Sequence, residues 1–264
     1  MKKFLVIGNP IEHSLSPRLH NFWIKNNNLD AIYGKKLIND DELSNLILEI
    51  KKKNIHGINV TVPFKKTVIP YLDYLSPESE KTQSVNTIYL ENNKIIGHNT
   101  DIEGFERSIN DLKLDIINKK VLILGAGGVV PSIIFALNKM KVSEITISNR
   151  TKSKAESLKN LFKNLKIVDW GEVPEFNLII NATSLGLKNS DEINLDISKV
   201  GKNKFFYDVI YKPSETNFLK TGKELGNRTE NGKMMFIYQA LAAFKVWHGI
   251  QPKINRDVIK ILDQ

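Results

Sequence analysis

Lys65 and Asp101 are the two side chains of this chain best suited to move a proton between a protein and a substrate oxygen. They stand among five short polar motifs. Four lie at strand ends or loops of the first half: His13–Pro17, Asn59–Lys65, Val85–Thr87 and Asn99–Asp101. The fifth, Tyr238–Ala240, comes late on a terminal helix. Together they supply hydroxyls, amides, one lysine and one aspartate, the inventory for a small, hydroxylated, anionic molecule. Ser14 and Ser16 beside a helix start suit a carboxylate. Asn59, Asn86 and Gln239 donate and accept at once, which suits hydroxyl groups. Each motif also has a plain structural reading: Ser16 as a helix cap, Asn86 as a turn, Asp101 as the cap of the helix that follows.

A second kind of chemistry sits in the second half. Gly125-Ala126-Gly127-Gly128 follows the apolar run Val121–Leu124 and precedes a helical pattern. Glycines let the backbone approach a pyrophosphate, and a helix start offers free N–H groups. Val130 occupies the third glycine position of the usual dinucleotide fingerprint, so the loop alone also reads as an ordinary strand-to-helix turn. The next strand sharpens it. Where an NAD enzyme carries an acidic residue, this chain has Asn149, Arg150 and Thr151, then Lys154. Arginine forks onto a 2′-phosphate that a carboxylate would repel, so the pattern points to NADP. Thr183, within Asn181–Gly186, lies at another strand end, the edge where doubly wound sheets bind ligands.

The elements that must hold these groups follow from periodicity. Short apolar runs alternate with amphipathic stretches, the pattern of an α/β fold. Phe4–Gly8, Ala31–Tyr33, Ile55–Val62, Val121–Leu124, Ile145–Ser148, Leu178–Asn181 and Phe205–Val209 read as strands. Val85–Leu90 and Lys94–His98 flank Asn92-Asn93 as a hairpin. Helices are expected from Ser16, with Ser16 as cap and Pro17 in the first turn, and from Asp40 as cap, with Leu43, Leu46, Ile47 and Ile50 on one face. Further helices are expected over Asp101–Leu112, Ile133–Met140, Lys152–Phe162, Met234–His248 and Ile254–Leu262.

Composition narrows the classes. The 264 residues carry 38 Lys+Arg against 29 Asp+Glu, a formal charge of +9, with 41% hydrophobic and 25% charged residues. That is the balance of a soluble globular chain, long enough for two modest domains. The basic excess is lysine, with arginine only at 18, 107, 150, 228 and 256, and it is scattered, which argues against nucleic acid. The absence of cysteine excludes disulfides, thiolate zinc sites and a cysteine nucleophile. The five histidines show no metal-ligand spacing, so no metal is expected. No apolar run reaches the roughly 20 residues that span a bilayer, and no signal segment opens the chain, so the cytoplasm and no membrane are expected.

Taken in order, the motifs His13–Pro17, Asn59–Lys65, Val85–Thr87, Asn99–Asp101, Gly125–Gly128, Asn149–Thr151, Asn181–Ser184, Tyr207–Tyr211 and Tyr238–Ala240 resemble the shikimate dehydrogenase family over nearly the whole chain. The resemblance implies two α/β domains with a cleft between them. An N-terminal substrate domain would take 1–101 with 234–264, and a Rossmann-like NADP-binding domain 102–233. It implies reversible reduction of 3-dehydroshikimate to shikimate with NADPH, in chorismate and aromatic amino acid biosynthesis. Ser14 and Ser16 would hold the substrate carboxylate. Asn59, Thr61, Asn86, Asp101, Tyr211 and Gln239 would surround its ring. Lys65 would be proton donor and acceptor, paired with Asp101. Gly125, Ala126, Gly127, Gly128, Asn149, Arg150, Thr151, Lys154 and Thr183 would bind NADP, with Val209 and Gly232 beside the nicotinamide.

Three departures stand out. Val129-Val130-Pro131 replace small residues and often an arginine, His98 replaces an aspartate, and Lys233-Met234 replace a Leu-Gly stretch. They bear on NADP affinity rather than on the proton chemistry. The alternatives are an NAD-using quinate/shikimate dehydrogenase and a non-catalytic shikimate-binding regulator. Arg150 and Lys154 speak against the first, and Lys65 with Asp101 against the second. A monomer or a homodimer is expected.

Overall fold

The computed structural model describes residues 1–188, 191, 193, 195–197 and 200–263. The chain forms two compact units, Met1–Gly104 together with the chain from Ile237 onward, and Phe105–Phe236. Each is built on a six-stranded sheet.

The first unit contains β1 (Lys2–Gly8), α1 (Ser16–Asn26), β2 (Ala31–Leu37), α2 (Leu43–Lys51), β3 (Gly57–Val60), α3 (Phe64–Thr67), β4 (Tyr74–Leu75), α4 (Pro77–Thr82), β5 (Thr87–Glu91) and β6 (Lys94–His98). α5 (Asp101–Asp111) leads out of it. The strand order is β2-β1-β3-β5-β6-β4. β1 is parallel to β2 and β3, whereas β5 runs antiparallel to both β3 and β6. The central strand β3 is buried throughout. On α2, Leu43, Leu46, Ile47 and Ile50 are all buried, as their spacing requires. Removing each from water contributes roughly 1.5–3 kcal/mol. The hairpin forms as expected: Glu91 faces Lys94, and Asn92 and Asn93 both take positive φ, 49° and 59°, the conformation of a type I′ turn.

The second unit contains β7 (Lys120–Leu124), α6 (Val130–Lys139), β8 (Glu144–Ser148), α7 (Lys152–Ser157), β9 (Leu165–Val168), β10 (Leu178–Asn181), β11 (Phe205–Asp208), α8 (Asn217–Glu224) and β12 (Arg228–Glu230). Its sheet is parallel throughout, in the order β12-β11-β10-β7-β8-β9. β7, β10 and β11 are nearly all buried, the pattern of parallel strands covered on both faces. α9 (Lys233–His248) returns the chain to the first unit, which ends in α10 (Arg256–Asp263).

Several local expectations are corrected. Ser16 does not cap α1. It is already helical, Leu15 holds the cap position, and the Ser14 hydroxyl accepts from the Ser16 N–H at 3.3 Å. Nor does Asp40 cap α2. Asn39 is extended and closes a capping box with Glu42 around a short 3-10 turn, so Asp40 falls inside that turn. The helix expected over Lys152–Phe162 stops at Ser157 and tightens into a 3-10 turn. The strand expected over Ile55–Val62 keeps only Gly57–Val60.

Candidate active site

The site in the first unit is assembled from three strand ends. β3 delivers Asn59 opposite Thr87 on β5. One turn later Lys65 stands on α3. β6 runs into Asn99 and Thr100, and Asp101 opens α5, where the positive end of the helix favours a carboxylate. Backbone bonds fix the frame: Val60 N–H to Asn86 carbonyl at 2.8 Å, and Val85 N–H to Lys65 carbonyl at 2.8 Å.

Within that frame, Lys65 Nζ lies 2.5 Å from Asp101 Oδ2, and both residues are buried, 8% and 5% exposed. Asn86 Nδ2 donates to Asp101 Oδ1 at 3.0 Å and to Thr100 Oγ1 at 2.9 Å. Asn86 Oδ1 accepts from the Thr100 N–H at 2.7 Å and from Thr87 Oγ1 at 3.1 Å. Gln239 Oε1 of α9 is 3.4 Å from the same amide nitrogen. Both aspartate oxygens therefore have partners. The lysine ammonium has three hydrogens, and among the described residues only Asp101 engages one. Two remain to be given to a ligand oxygen.

Next to this group, Asn59 Nδ2 donates to the Asn86 carbonyl at 3.0 Å and to Thr87 Oγ1 at 3.1 Å, while its Oδ1 accepts from the Tyr33 hydroxyl at 2.7 Å. The Ser16 hydroxyl lies close enough to the Tyr33 hydroxyl to influence it. Lys65, Asp101, Asn59, Asn86 and Gln239 thus form one hydrogen-bonded cluster, which Tyr33 extends from Asn59 towards Ser16. Ser14 is half-buried beside it in sequence, bonded to the Ser16 backbone. Thr61 is half-buried too, and no hydrogen bond engages its hydroxyl among the described residues.

The second unit's candidate residues gather at the carboxyl ends of its strands. Gly125 has φ of +109°, and a Cβ there would come within 2.9 Å of the Ala182 carbonyl oxygen, so only glycine fits. Gly127 is exposed, and a Cβ built on it meets nothing nearer than 3.9 Å, which leaves the open side of the loop free for another group. Val130, at the third glycine position, is fully buried at the start of α6, and Pro131 occupies the first turn, where no N–H is needed. Asn149 Nδ2 donates to the Thr151 carbonyl at 2.8 Å and shapes the turn into α7. Arg150, Thr151 and Lys154 are exposed, and no ion pair among the described residues holds either cation.

Thr183 closes the turn after β10, its hydroxyl bonded to Asn181 Oδ1 at 2.7 Å. The Val209 N–H reaches the Asn181 carbonyl at 3.0 Å, and the Gly232 N–H reaches the Ile210 carbonyl at 3.1 Å. A Cβ on Gly232 would fall 2.1 Å from the Val209 oxygen. Tyr211 belongs to this unit and stacks on Phe236 at 4.6 Å.

Two residues that the sequence reading did not single out organise these halves. Tyr33 does so in the first unit. In the second, Asp208 is fully buried and accepts from Thr216 Oγ1 at 2.6 Å, the Ile210 N–H at 3.0 Å and Asn181 Nδ2 at 3.1 Å. Burial raises its pKa to about 6. Asp208 lay in view within Tyr207–Tyr211. Nothing local to Ala31–Tyr33 marks the tyrosine, because its partners are 17 and 26 residues away in sequence.

Comparison with known proteins places the chain in a family. Residues 6–88 match the family model described as shikimate dehydrogenase substrate binding domain, and residues 108–195 match the one described as shikimate / quinate 5-dehydrogenase. The chain is 58% identical over 262 residues to a protein of Pelagibacter ubique named shikimate dehydrogenase (NADP(+)), covering 99% of each. It is similar to the crystal structure of shikimate dehydrogenase from Aquifex aeolicus, with TM-score 0.92 and 37% identity, covering 100% of this chain and 98% of that one. It is also similar to shikimate 5-dehydrogenase from Thermus thermophilus, solved with NADP(H) and shikimate, with TM-score 0.88 and 31% identity over 96% of this chain and 95% of that one. With family models matching both halves and a relative this close over the full length, the chain belongs to the shikimate dehydrogenase family.

Proposed function

We propose that this protein reduces 3-dehydroshikimate to shikimate with NADPH, and runs the reverse reaction, as a step of chorismate and aromatic amino acid biosynthesis. The observation that carries the residue assignment is the buried Lys65–Asp101 pair with two lysine hydrogens left over. NADPH, when bound, supplies the hydride. The chain's own residues handle the rest. As the substrate carbonyl becomes an alcohol, Lys65 Nζ gives a proton to the developing oxyanion, and Asp101 holds the ammonium at hydrogen-bonding distance. In the reverse direction the neutral lysine takes that proton back. Asn59, Thr61, Asn86 and Gln239 hold ring hydroxyls, and Ser14 and Ser16 hold the carboxylate.

The second unit's residues fit a phosphorylated dinucleotide. The loop Gly125-Ala126-Gly127-Gly128 precedes α6 and leaves open space at Gly127, with Val209, Thr183 and Gly232 held by backbone and turn bonds. Arg150 and Lys154, both exposed and without ion-pair partners among the described residues, suit a 2′-phosphate, with Asn149 and Thr151 shaping the turn. The first unit is accordingly the substrate domain and the second the NADP domain. Among the described residues no helix is long and apolar enough to cross a membrane. The cytoplasm is the compartment this reading assigns, and sedimentation decides between monomer and homodimer.

The test is a steady-state comparison of shikimate and quinate, each with NADP+ and NAD+. Shikimate with NADP+ should give the highest kcat/KM. A higher value for quinate with NAD+ would replace this reading with that of a quinate/shikimate dehydrogenase, and no turnover with any pair would leave a shikimate-binding protein without catalysis.

A further inference from the structure

Tyr33 is buried, and its hydroxyl stands between two groups that the proposed function assigns to different parts of the substrate. On one side it donates to Asn59 Oδ1 at 2.7 Å. On the other it meets the Ser16 hydroxyl. The Asn59 amide has no freedom left. Both Nδ2 hydrogens are used, on the Asn86 carbonyl and on Thr87 Oγ1, so among the described residues only the second lone pair of Oδ1 is left for a ligand. The tyrosine proton therefore fixes the one acceptor that Asn59 can offer to a ring hydroxyl.

The phenol is itself held as a plate. The His20 ring stacks on it with centroids 4.1 Å apart and planes 4° apart, and the Trp247 ring lies 6.0 Å away. His20 is almost wholly buried, and neither of its ring nitrogens has a hydrogen-bond partner. Burial lowers its pKa to about 3, so the imidazole stays neutral. Its contribution here is a flat face rather than a donor or a charge.

We propose that Tyr33 is a positioning residue for the substrate. Clamped by the His20 ring, its hydroxyl fixes the hydroxyl-holding Asn59 beside the carboxylate-holding Ser16, and so favours ligands whose ring hydroxyl meets that one acceptor. This rests on the reading of the first unit as the shikimate subsite.

The test is the kinetics of Tyr33→Phe, which keeps the ring and its stack and removes only the hydroxyl. The shikimate KM should rise about tenfold, kcat should fall by less than threefold, and the NADP+ KM should not change. In an Asn59→Ala background the same substitution should raise the shikimate KM by clearly less, because the acceptor that the tyrosine fixes is gone. A shikimate KM within twofold of wild type would overturn the proposal, as would an undiminished effect in the Asn59→Ala background. A purely structural tyrosine would lower the unfolding temperature and leave both KM values alone. Should Tyr33→Phe fail to fold, His20→Leu removes the stacked face without stranding a polar group. It should raise the shikimate KM about threefold with kcat retained, and an unchanged KM would overturn the proposal. Wild-type turnover of shikimate with NADP+ is the control. Its absence would remove the proposed function and this inference together, whereas normal wild-type turnover with an unshifted variant removes this inference alone.

Discussion

The two candidate half-sites are built on opposite principles. In the first unit, six polar side chains (Asn59, Lys65, Asn86, Thr87, Thr100 and Asp101) are buried and bonded to one another before any ligand arrives. In the second, the candidate contacts are bare backbone at Gly127 and exposed cations at Arg150 and Lys154. A buried, satisfied network holds its atoms in place, which is what proton transfer demands. An exposed loop with loose cations attracts a large anion without specifying its atoms as closely, and the hydride chemistry comes with the cofactor. The contrast predicts that damage to the first half falls on turnover and damage to the second falls on affinity.

The strongest way to break that contrast is Lys65→Ala. If the lysine moves the proton, kcat should fall by roughly 10²- to 10⁴-fold while NADP+ binding, measured by titration, stays as in wild type. The substitution also leaves Asp101 buried without its counter-ion, so stability should drop by roughly 3–5 kcal/mol, and the folded fraction is checked by circular dichroism. Retained turnover in folded protein would take Lys65 out of the mechanism.

Acid should separate the two units. His20, in the first, has a folded pKa of about 3 against 6.5 for an exposed histidine. Between those values the unfolded chain binds the extra proton, so stability is lost as the pH falls, on the order of 5 kcal/mol across the whole window. His248, whose ring is tilted against Phe244, has a pKa lowered by burial to about 4 and acts with the same sign. Asp208, in the second unit, has a folded pKa of about 6 against 3.8. There the folded state keeps the proton longer, so stability is gained as the pH falls from 6 towards 4, on the order of 3 kcal/mol. Hydrogen exchange between pH 6.5 and 4, corrected for intrinsic rates, should show protection falling in β1, β3 and α1 while β10 and β11 hold or gain. An equal loss in both units would contradict the assignment. His20→Leu should flatten the first response, and Asp208→Asn the second.

The same two halves differ in how far they could be read from the amino acids. The glycine loop is local: four consecutive residues and a strand before them suffice, and the Gly125 backbone is as the pattern requires. The hairpin at Asn92-Asn93 is local in the same way. The cluster around Lys65 is not. Its bonded members lie as far apart as Asn86 and Gln239, 153 residues, and only the order β1-β3-β5-β6, with α5 following and α9 returning, brings them into contact. Residue chemistry named Asn59, Asn86 and Asp101 one at a time, but their bonds are a property of the sheet. Tyr33 was illegible because its role arises from long-range pairing, with Phe4 opposite it on β1. The strands β9 and β12 escaped notice for another reason. Both are short strands at sheet edges: Arg228–Glu230 is polar throughout and hides the apolar signature of a strand, while Leu165–Val168 offers only four residues, interrupted by Lys166. The caps misplaced at Ser16 and Asp40 reflect nearby residues of the same chemistry: Ser14 accepts the Ser16 N–H, and Asn39 caps the 3-10 turn before α2.

The smallest expected effect tests the exposed half. Arg150→Ala removes a cation that no ion pair among the described residues holds in place, so the fold should lose little, within about 0.5 kcal/mol. A charge-assisted contact to a 2′-phosphate is worth about 1.5–3 kcal/mol, so the NADP+ KM should rise roughly 10- to 100-fold. NAD+ lacks that phosphate, so its KM should move less than twofold, and kcat with saturating NADP+ should stay near wild type. Salt offers an independent handle. At physiological ionic strength charges are screened over about 8 Å, and exposed pairs suffer most. Raising salt should therefore weaken NADP+ in wild type and do much less in Arg150→Ala. Equal KM changes for the two cofactors would show that Arg150 acts on something other than the phosphate. A salt response that survives the substitution intact would shift the attraction to Lys154 or to the chain's general positive charge.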